Sequence, residues 1–304
     1  MTGEQYEITF GSSRAVITQL GAGLRAFEVD GVPYVETFAK DAVKPPMGAG
    51  SVLVPWPNRV AGAHWEFDGK PQDLEVTEPA LGNAIHGLVR FQPWRVVIRE
   101  RTRITLALDV PVQAGWPVAL RIGLRYTVGR RGLTVEHDVR NVGDQPVPFG
   151  VGCHPYPRAG LAPRDECQLQ LAAHTVLSLD ETTRIPNGPP TDVTGTDVDF
   201  RTPVSLAGRR LDTPFGDCRP EQDGLIHHRL LSATGGVEMW ADPDFRWVQV
   251  FTPNEFPDPE GGTKTALAIE PMTCPPDALN SGIDLITVVP GENWSGRWGL
   301  RPLN

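Results

Sequence analysis

The stretch ALRIGLRYTVGRRGLTVEHDV, residues 119–139, alternates apolar and polar side chains with a period of two. Before the turn, one face carries only apolar or aromatic side chains: Leu120, Ile122, Leu124, Tyr126 and Val128. After Gly129-Arg130-Arg131-Gly132 the alternation resumes with Leu133, Val135 and Val139. A period of two places successive side chains on opposite faces of a strand. The stretch therefore predicts a β-hairpin with one buried face.

Short runs of the same kind recur on both sides of this hairpin. They include YEITF (6–10), LRAFEV (24–29), ITLALDV (104–110), RWVQVF (246–251) and TALAIE (265–270). The chain contains 32 Gly and 30 Pro, which punctuate these runs, and no segment carries a long apolar stripe of helical period. No internal repeat or Ser/Gly linker marks a boundary. We predict one all-β domain over residues 1–304, a large antiparallel β-sandwich.

Composition and charge exclude several classes of function. The 304 residues are 40% hydrophobic and 21% charged, which is enough apolar material for a large core. The net charge of −9 and the lack of any Lys/Arg-rich run argue against a nucleic-acid partner. There is no basic segment followed by an apolar run at the start and no stretch of 18 apolar residues, so neither a secretory signal nor a membrane span is predicted. We expect a cytoplasmic protein with reduced cysteines.

Two titratable residues stand out at predicted strand ends. Glu270 closes an apolar strand among small residues, and Pro271 is expected to end the ladder there. His154 lies in VGCHPYP, where Pro155 keeps it out of helical geometry. An imidazole with an ordinary pKa near 6.5 suits acid–base work at neutral pH. Each residue taken alone also fits an ordinary role, the glutamate as a solvated strand end and the histidine as a loop residue bonded to backbone.

Other polar residues are weaker candidates. His86 is followed by Gly87 in NAIHGLVRFQPW, and Arg59 follows Asn58 in PWPNRVAG. An arginine fork can bond two neighbouring sugar hydroxyls, although lone surface arginines are commoner. His137 shares the parity of the apolar hairpin face and is expected in the core, whereas His227-His228 is expected at the surface. Histidine and cysteine spacings match no metal site, and phosphate-binding and nucleophile-elbow motifs are missing, so we predict no metal and no cofactor.

Taken together and in this order, four segments resemble the aldose 1-epimerase (galactose mutarotase) family, in its compact bacterial branch. They are PWPNRVAGAHWEFDGK (55–70), NAIHGLVRFQPW (83–94), GVGCHPYP (150–157) and AIEPMTCPPDALNSG (268–282). The resemblance spans most of the chain and implies the galactose mutarotase-like supersandwich. One departure is Pro157, which follows Tyr156 where family members commonly have an aromatic residue.

The resemblance also implies roles for individual residues. Glu270, His154 and His86 correspond to the catalytic carboxylate and the two active-site histidines. Arg59, with Asn58 beside it, corresponds to the substrate-binding arginine. The family places an aspartate on a sugar hydroxyl in a segment of the form LD-x-x-F, which fits Leu211–Phe215, so that role falls to Asp212, with Asp217 as the alternative.

The function that this resemblance implies is exchange of the α and β anomers of a hexose by acid–base ring opening and closure. One alternative is a hexose-6-phosphate 1-epimerase, which needs basic groups such as Arg90 and Arg158 for the phosphate. The net charge of −9 and the lack of a basic cluster count against it. Another is a non-catalytic sugar-binding or sensor protein on the same fold. Glycoside cleavage requires a second acid beside Glu270, and nothing in the sequence places the two candidates, Asp212 and Asp277, at the required separation. The oligomeric state and the preferred sugar stay open.

Overall fold

Short antiparallel strands form almost all of the regular structure in residues 1–303, the residues that the computed structural model describes. In chain order the strands are β1 (Gln5–Phe10), β2 (Ser13–Thr18), β3 (Leu24–Val29), β4 (Val32–Pro33), β5 (Val52–Leu53), β6 (Arg59–Val60), β7 (His64–Phe67), β8 (Lys70–Asp73), β9 (Ala84–Ile85), β10 (Arg95–Arg99), β11 (Arg103–Val110), β12 (Leu120–Gly129), β13 (Gly132–Asn141), β14 (Val147–Phe149), β15 (Gly152–Cys153), β16 (Gln168–Gln170), β17 (Thr175–Val176), β18 (Thr191–Asp192), β19 (Val204–Ser205), β20 (Asp212–Gly216), β21 (Ile226–Ser232), β22 (Gly235–Ala241), β23 (Trp247–Phe251), β24 (Phe256–Pro257), β25 (Thr263–Lys264), β26 (Ala268–Met272), β27 (Ile286–Val288) and β28 (Asn293–Leu303). The helices are one α-helical turn, α1 (Ala278–Ser281), and 3₁₀ turns at Pro46–Gly48, Ala61–Ala63 and Arg164–Glu166.

Two large sheets dominate the fold. One has nine strands in the order β10-β11-β12-β13-β28-β22-β21-β16-β19, and the other has seven in the order β18-β17-β20-β23-β26-β15-β5. A four-stranded sheet, β1-β2-β3-β4, and four two-stranded ladders complete the structure. The predicted hairpin is β12–β13, which pairs antiparallel from Leu120↔Asn141 to Gly129↔Gly132 and buries the predicted face. The all-β prediction is confirmed.

Within the part of the chain that the structure describes, the largest of three clusters of buried hydrophobic side chains extends from Tyr6 to Leu300. Its largest fully buried members include Trp65, Trp94, Trp116 and Trp298. A domain normally has one main core with smaller satellite clusters, and that the chain forms one domain stays a prediction. His137 lies within this core as predicted, where its Nε2 accepts a hydrogen bond from Trp298 Nε1 at 3.1 Å.

Two local predictions are wrong. Strand β26 does not end at Pro271 but continues to Met272, so Glu270 lies inside the seven-stranded sheet. The neighbouring β15 pairs with β26 only at Gly152↔Met272, so a proline beside it costs little of the ladder. His227 and His228 are both buried, because β21 is covered on its two faces and not on one.

All four cysteine thiols are free and buried. Burial raises the pKa of the Cys167 thiol to about 11, and it also raises the pKa of Cys153, Cys218 and Cys274. Within residues 1–303, no helix is both long enough and apolar enough to cross a membrane.

Candidate active site

All six of the predicted site residues line one cleft of about 450 Å³. They are Asn58, Arg59, His86, His154, Asp212 and Glu270. Volume alone does not distinguish this cleft, because depressions of about 560 Å³ beside Arg25 and about 640 Å³ beside Trp247 are larger. The buried polar side chains at its base do distinguish it, since groups that are costly to bury cluster at functional sites.

The seven-stranded sheet supplies one wall of the cleft. Glu270 on β26 lies opposite Gln249 on β23, and Asp212 on β20 lies opposite Phe251 on β23. Gln249 and Phe251 are two residues apart, so all four side chains share one face of the sheet. Three adjacent strands therefore present Asp212, Gln249 and Glu270 in a row.

The short ladder β6–β9 supplies a second wall of the cleft, and His86 directly follows β9. Both Asn58 and His86 have left-handed backbones, with φ of 55° and 66°. Two hydrogen bonds stabilise this conformation: Asn58 N–H donates to His86 Nδ1 at 3.2 Å, and His86 N–H donates to the Asn58 carbonyl at 2.8 Å. Gly87 has φ of 69°, and a Cβ there would overlap the carbonyl oxygen of Val54. The close backbone approach explains the HG pair in the sequence.

His154 follows β15 directly and is oriented by packing. Its ring stacks on Tyr156, with centroids 5.2 Å apart and an interplanar angle of 21°. Tyr156 is itself anchored, because its hydroxyl donates to the Met47 carbonyl at 3.0 Å. A Cβ at Gly48 would lie 2.9 Å from Cδ2 of His154, so the turn at Pro46–Gly48 closes over the imidazole.

The carboxyl group of Glu270 and the imidazole of His154 meet at the base of the cleft. Glu270 Oε1 lies 3.3 Å from His154 Nε2, and the side chains are only 2% and 7% exposed. Glu270 Oε2 has no hydrogen-bond partner within residues 1–303. The His86 ring contacts the His154 ring edge-on, with centroids 5.6 Å apart. Because Nδ1 of neutral His86 accepts the hydrogen bond from Asn58, its Nε2 carries the proton and acts as a donor.

Burial moves the two kinds of titratable group in opposite directions. It raises the pKa of Glu270 well above its ordinary value, and the nearby charge of Asp212 adds to this while Arg59 opposes it. It lowers the pKa of His154 to about 3, with a contribution from Arg90. It also lowers the pKa of His86 well below 6.5. In each case the neutral form is favoured, since a low-dielectric site penalises charge.

A chain of side-chain hydrogen bonds links the two walls of the cleft. Asn58 Nδ2 donates to Gln249 Oε1 at 3.2 Å, and Gln249 Nε2 donates to Asp212 Oδ1 at 2.6 Å. Arg184 Nη2 lies 2.6 Å from the other carboxylate oxygen, Asp212 Oδ2. Asn58 Oδ1 accepts from Arg59 N–H at 2.9 Å. The Asn58 amide is thus occupied within the protein, which favours a positioning role over the predicted contact with a substrate.

The guanidinium of Arg59 is held in a fork by Glu78. Nε and Nη2 of Arg59 donate to the two carboxylate oxygens of Glu78 at 2.8 and 2.9 Å. A two-pronged pair of this kind fixes the plane of the guanidinium. Sequence reasoning missed Glu78, Gln249 and Arg184. Only Gln249 is marked by the sequence, as the one polar residue inside the apolar run WVQVF (247–251).

Three other residues considered from the sequence lie outside the cleft lining. Asp217 is exposed and pairs with Arg219 at 2.6 Å, so Asp212 is the aspartate that faces the site. Arg158 pairs with Glu36 at 3.3 Å and does not flank the cleft as Arg90 does. The carboxylate of Asp277 accepts from Ala61 N–H at 2.9 Å.

His86, His154 and Glu270 could also be considered as metal ligands, because their potential ligand atoms lie within 4.8 Å of one another. The tautomer of His86 counts against such a site. Its one free lone pair, on Nδ1, already accepts the Asn58 N–H. Coordination through Nε2 would place a protonated Nδ1 against that donor. The arrangement suits proton transfer better than metal binding.

Comparison with solved structures defines the fold class. A GalM/aldose epimerase homologue from C. elegans matches with a TM-score of 0.84 and 21% identity, covering 98% of each chain. A putative aldose 1-epimerase from Escherichia coli K12 matches with a TM-score of 0.82 and 23% identity, also covering 98% of each chain. The protein therefore has the galactose mutarotase-like fold.

Comparison with known sequences establishes the family. The family model described as aldose 1-epimerase matches residues 4–301. The uncharacterized protein YihR of Escherichia coli K12 is 31% identical over 295 residues, which are 96% of this chain and 91% of that protein. The chain belongs to the aldose 1-epimerase family, as its motifs predict.

Proposed function

We propose that this protein interconverts the α and β anomers of an aldose, with Glu270 and His154 as the proton-transfer pair. The observation that carries the proposal is the 3.3 Å approach of Glu270 Oε1 and His154 Nε2 inside the cleft. Anomer exchange moves protons at O1 and at the ring oxygen, which are bonded to the same carbon. The groups that serve them must therefore lie close together, as these two do.

In the proposed reaction, ionised Glu270 takes the proton of the C1 hydroxyl while protonated His154 gives one to the ring oxygen. The bond between C1 and the ring oxygen breaks, and a carbonyl forms at C1. Rotation about C1–C2 presents the other face of the aldehyde. The ring oxygen then attacks this face, His154 takes its proton back, and Glu270 returns a proton to O1. His86 Nε2–H donates to the substrate, and Asp212 and Arg59 bind its hydroxyls.

The opposite pKa shifts fit this cycle. Ring opening converts a carboxylate at Glu270 and an imidazolium at His154 into a neutral carboxylic acid and a neutral imidazole. Ring closure reverses this, so the pair always holds one exchangeable proton. Burial disfavours both the state with two charges and any state with a net charge. Because the pKa of Glu270 is raised and that of His154 is lowered to about 3, the proton of the free site resides on Glu270. The ion pair that starts ring opening then forms by transfer of this proton to His154 Nε2, which lies 3.3 Å from Glu270 Oε1. A shared proton is then able to move in either direction.

Polarimetry on freshly dissolved α-glucose and α-galactose tests the proposal. We expect the purified protein to accelerate the drift of optical rotation, and H154Q to lose about 10²-fold or more of that acceleration. R59A should mainly raise KM, because Arg59 binds substrate and transition state alike. An H154Q protein that retains wild-type turnover would contradict the assignment of the acid.

The control for these variants is D217N. Asp217 is an exposed carboxylate paired with Arg219 outside the cleft, so its replacement should leave the rate unchanged. A second arm repeats the assay in the presence of a metal chelator, which distinguishes proton transfer by the side chains from catalysis by a bound ion. The proposal includes independence from cofactors and a cytoplasmic location. Buried free thiols agree with a reducing compartment.

A further inference from the structure

The acidic side chains of the cleft are already neutralised. Glu78 holds both donors of the Arg59 fork, and Asp212 pairs with Arg184 at 2.6 Å. Glu270 lies against His154 in surroundings that favour its neutral form. Each of these carboxyl groups therefore already has a partner, and the charge of Glu78 also acts on Arg90 without forming an ion pair with it.

Two cations of the cleft are not neutralised in this way. Arg90 and Lys44 both line it, and neither forms an ion pair or a side-chain hydrogen bond with any residue from 1 to 303. The guanidinium carbon of Arg90 lies 4.6 Å from the centroid of the Phe91 ring, a contact that orients it without neutralising it. Although the chain has a net charge of −9, this cleft opening presents two positive side chains that have no ion-pair partner among the described residues. An opening of this kind attracts an anion.

The position of Arg90 relates this charge to the reacting end of a sugar. Arg90 follows His86 by four residues and lines the same cleft as His86 and His154. Its positive charge contributes to lowering the pKa of both histidines, which agrees with this placement. The proposed reaction brings the ring oxygen of the sugar to His154. The ring oxygen is bonded to C5, and C5 carries the exocyclic carbon. A substituent on that carbon therefore extends from the same end of the ring toward Arg90.

We propose that the substrate is an aldose with an oxyanion on its exocyclic carbon, and that Arg90 and Lys44 bind this oxyanion. This inference rests on the proposed function. Two cations match one or two negative charges, and a guanidinium is well suited to paired oxygens. The group can be a carboxylate, a phosphate ester or a sulfate ester, which share this charge and differ in shape. Arg158 takes no part, because it pairs with Glu36 outside the cleft.

Exchange NMR on anomers at equilibrium tests the inference, since it measures interconversion without requiring a pure anomer. The substrates are glucose, galactose, glucuronate, glucose 6-phosphate and glucose 6-sulfate. We expect kcat/KM for at least one anionic sugar to exceed that for glucose about tenfold or more, with a preference that weakens as salt is added. The best of the three anionic sugars identifies the oxyanion. A wild-type protein that prefers glucose or galactose would overturn the inference.

R90Q and K44Q assign the preference to these residues. We expect each to reduce the ratio of anionic to neutral kcat/KM, by about tenfold or more for R90Q, mostly through KM. The matched control is R130Q, because Arg130 lies in the β12–β13 turn outside the cleft lining. Equal losses on glucose and on the anionic sugars in R90Q would refute the proposed contact.

Failure of the proposed function is distinguishable from failure of this inference. If the protein accelerates interconversion of no sugar, calorimetric titration with glucuronate, glucose 6-phosphate, glucose 6-sulfate and glucose still measures the charge preference. Tighter binding of an anionic sugar that is lost in R90Q would support the anion site on a binding protein. Equal binding of charged and neutral sugars, or no binding of any, would reject it.

Discussion

Replacement of Glu270 by glutamine should lower activity but raise stability, because the carboxyl group is both a proposed proton carrier and a buried titratable group. Glutamine has nearly the same shape but cannot take a proton from the sugar. Loss of one positioned proton-transfer group typically costs 10²–10⁴-fold in rate, or about 2.7–5.4 kcal/mol of barrier at about 1.36 kcal/mol per tenfold. E270Q should therefore lose at least about 10²-fold in kcat for anomer exchange, measured by polarimetry or exchange NMR.

The same change should also raise the free energy of unfolding relative to the wild type, and this difference should grow as the pH rises. The pKa of Glu270 is raised in the folded state, so the folded protein keeps a proton that the unfolded chain loses above about pH 4.3. The free energy of unfolding of the wild type therefore falls by about 1.36 kcal/mol per pH unit from this group, until the pH passes the raised pKa. E270Q lacks this loss, because an amide does not titrate. Urea unfolding of both proteins between about pH 5 and about pH 8 measures the difference.

Two results would refute this reasoning. A kcat of E270Q within about threefold of the wild type would remove the carboxylate from the proton-transfer step. A difference in unfolding free energy that stays constant with pH would show that the carboxyl group titrates normally in the folded protein. D217N serves again as the control, because its carboxylate is exposed and should alter neither the turnover nor the slope.

Three further outcomes follow from the described contacts. Burial lowers the pKa of His228 to about 3, so the free energy of unfolding falls as the pH falls below about 6.5. H228Q should remove about 1.36 kcal/mol per pH unit from this dependence between about pH 4 and about pH 6, measured by urea unfolding. An unchanged pH dependence would contradict this. G87A should destabilise the fold by about 1–3 kcal/mol and lower kcat, because the new Cβ meets the Val54 carbonyl. The control is G82A, which should keep wild-type activity because Gly82 has a similar φ of 72° but open space around it. Q249L should lower the free energy of unfolding by about 1–3 kcal/mol and raise KM, because Asn58 and Asp212 each lose a side-chain hydrogen bond. A variant with wild-type KM would argue against the link between the cleft walls.

The fold is predictable because its signal is local. The two-residue period of residues 119–139 indicates one buried and one exposed face, and the burial pattern of β12 and β13 agrees with it. The same logic fails where both faces of a strand are covered. His227 and His228 are adjacent and point to opposite faces, so a surface position for both cannot hold once β21 is buried on both sides. The effect of Pro271 escapes prediction for a related reason, since it depends on how long the neighbouring strand is.

The motifs predict which residues come together in the candidate site, but they do not predict the groups that hold those residues in place. Asn58 and Gln249 are hydrogen-bonded across a separation of 191 residues, and no pattern within either segment encodes that contact. Glu78 and Arg184 look like ordinary surface charges until the structure pairs them with Arg59 and Asp212. Which cations remain without a partner depends on all of these pairings together, so only the structure shows it.

The four buried thiols can report local unfolding of the chain through their reaction with alkylating reagents. Alkylating reagents attack the thiolate, and burial both shields the sulfur atoms and raises the pKa of Cys153, Cys167, Cys218 and Cys274. Labelling of the native chain must therefore wait for transient opening. The rate at which mass is added at each cysteine reports the opening free energy around that cysteine, without any introduced probe. Ligands that close the cleft should slow labelling of Cys153, the immediate neighbour of His154, by the same factor as they stabilise the fold around it.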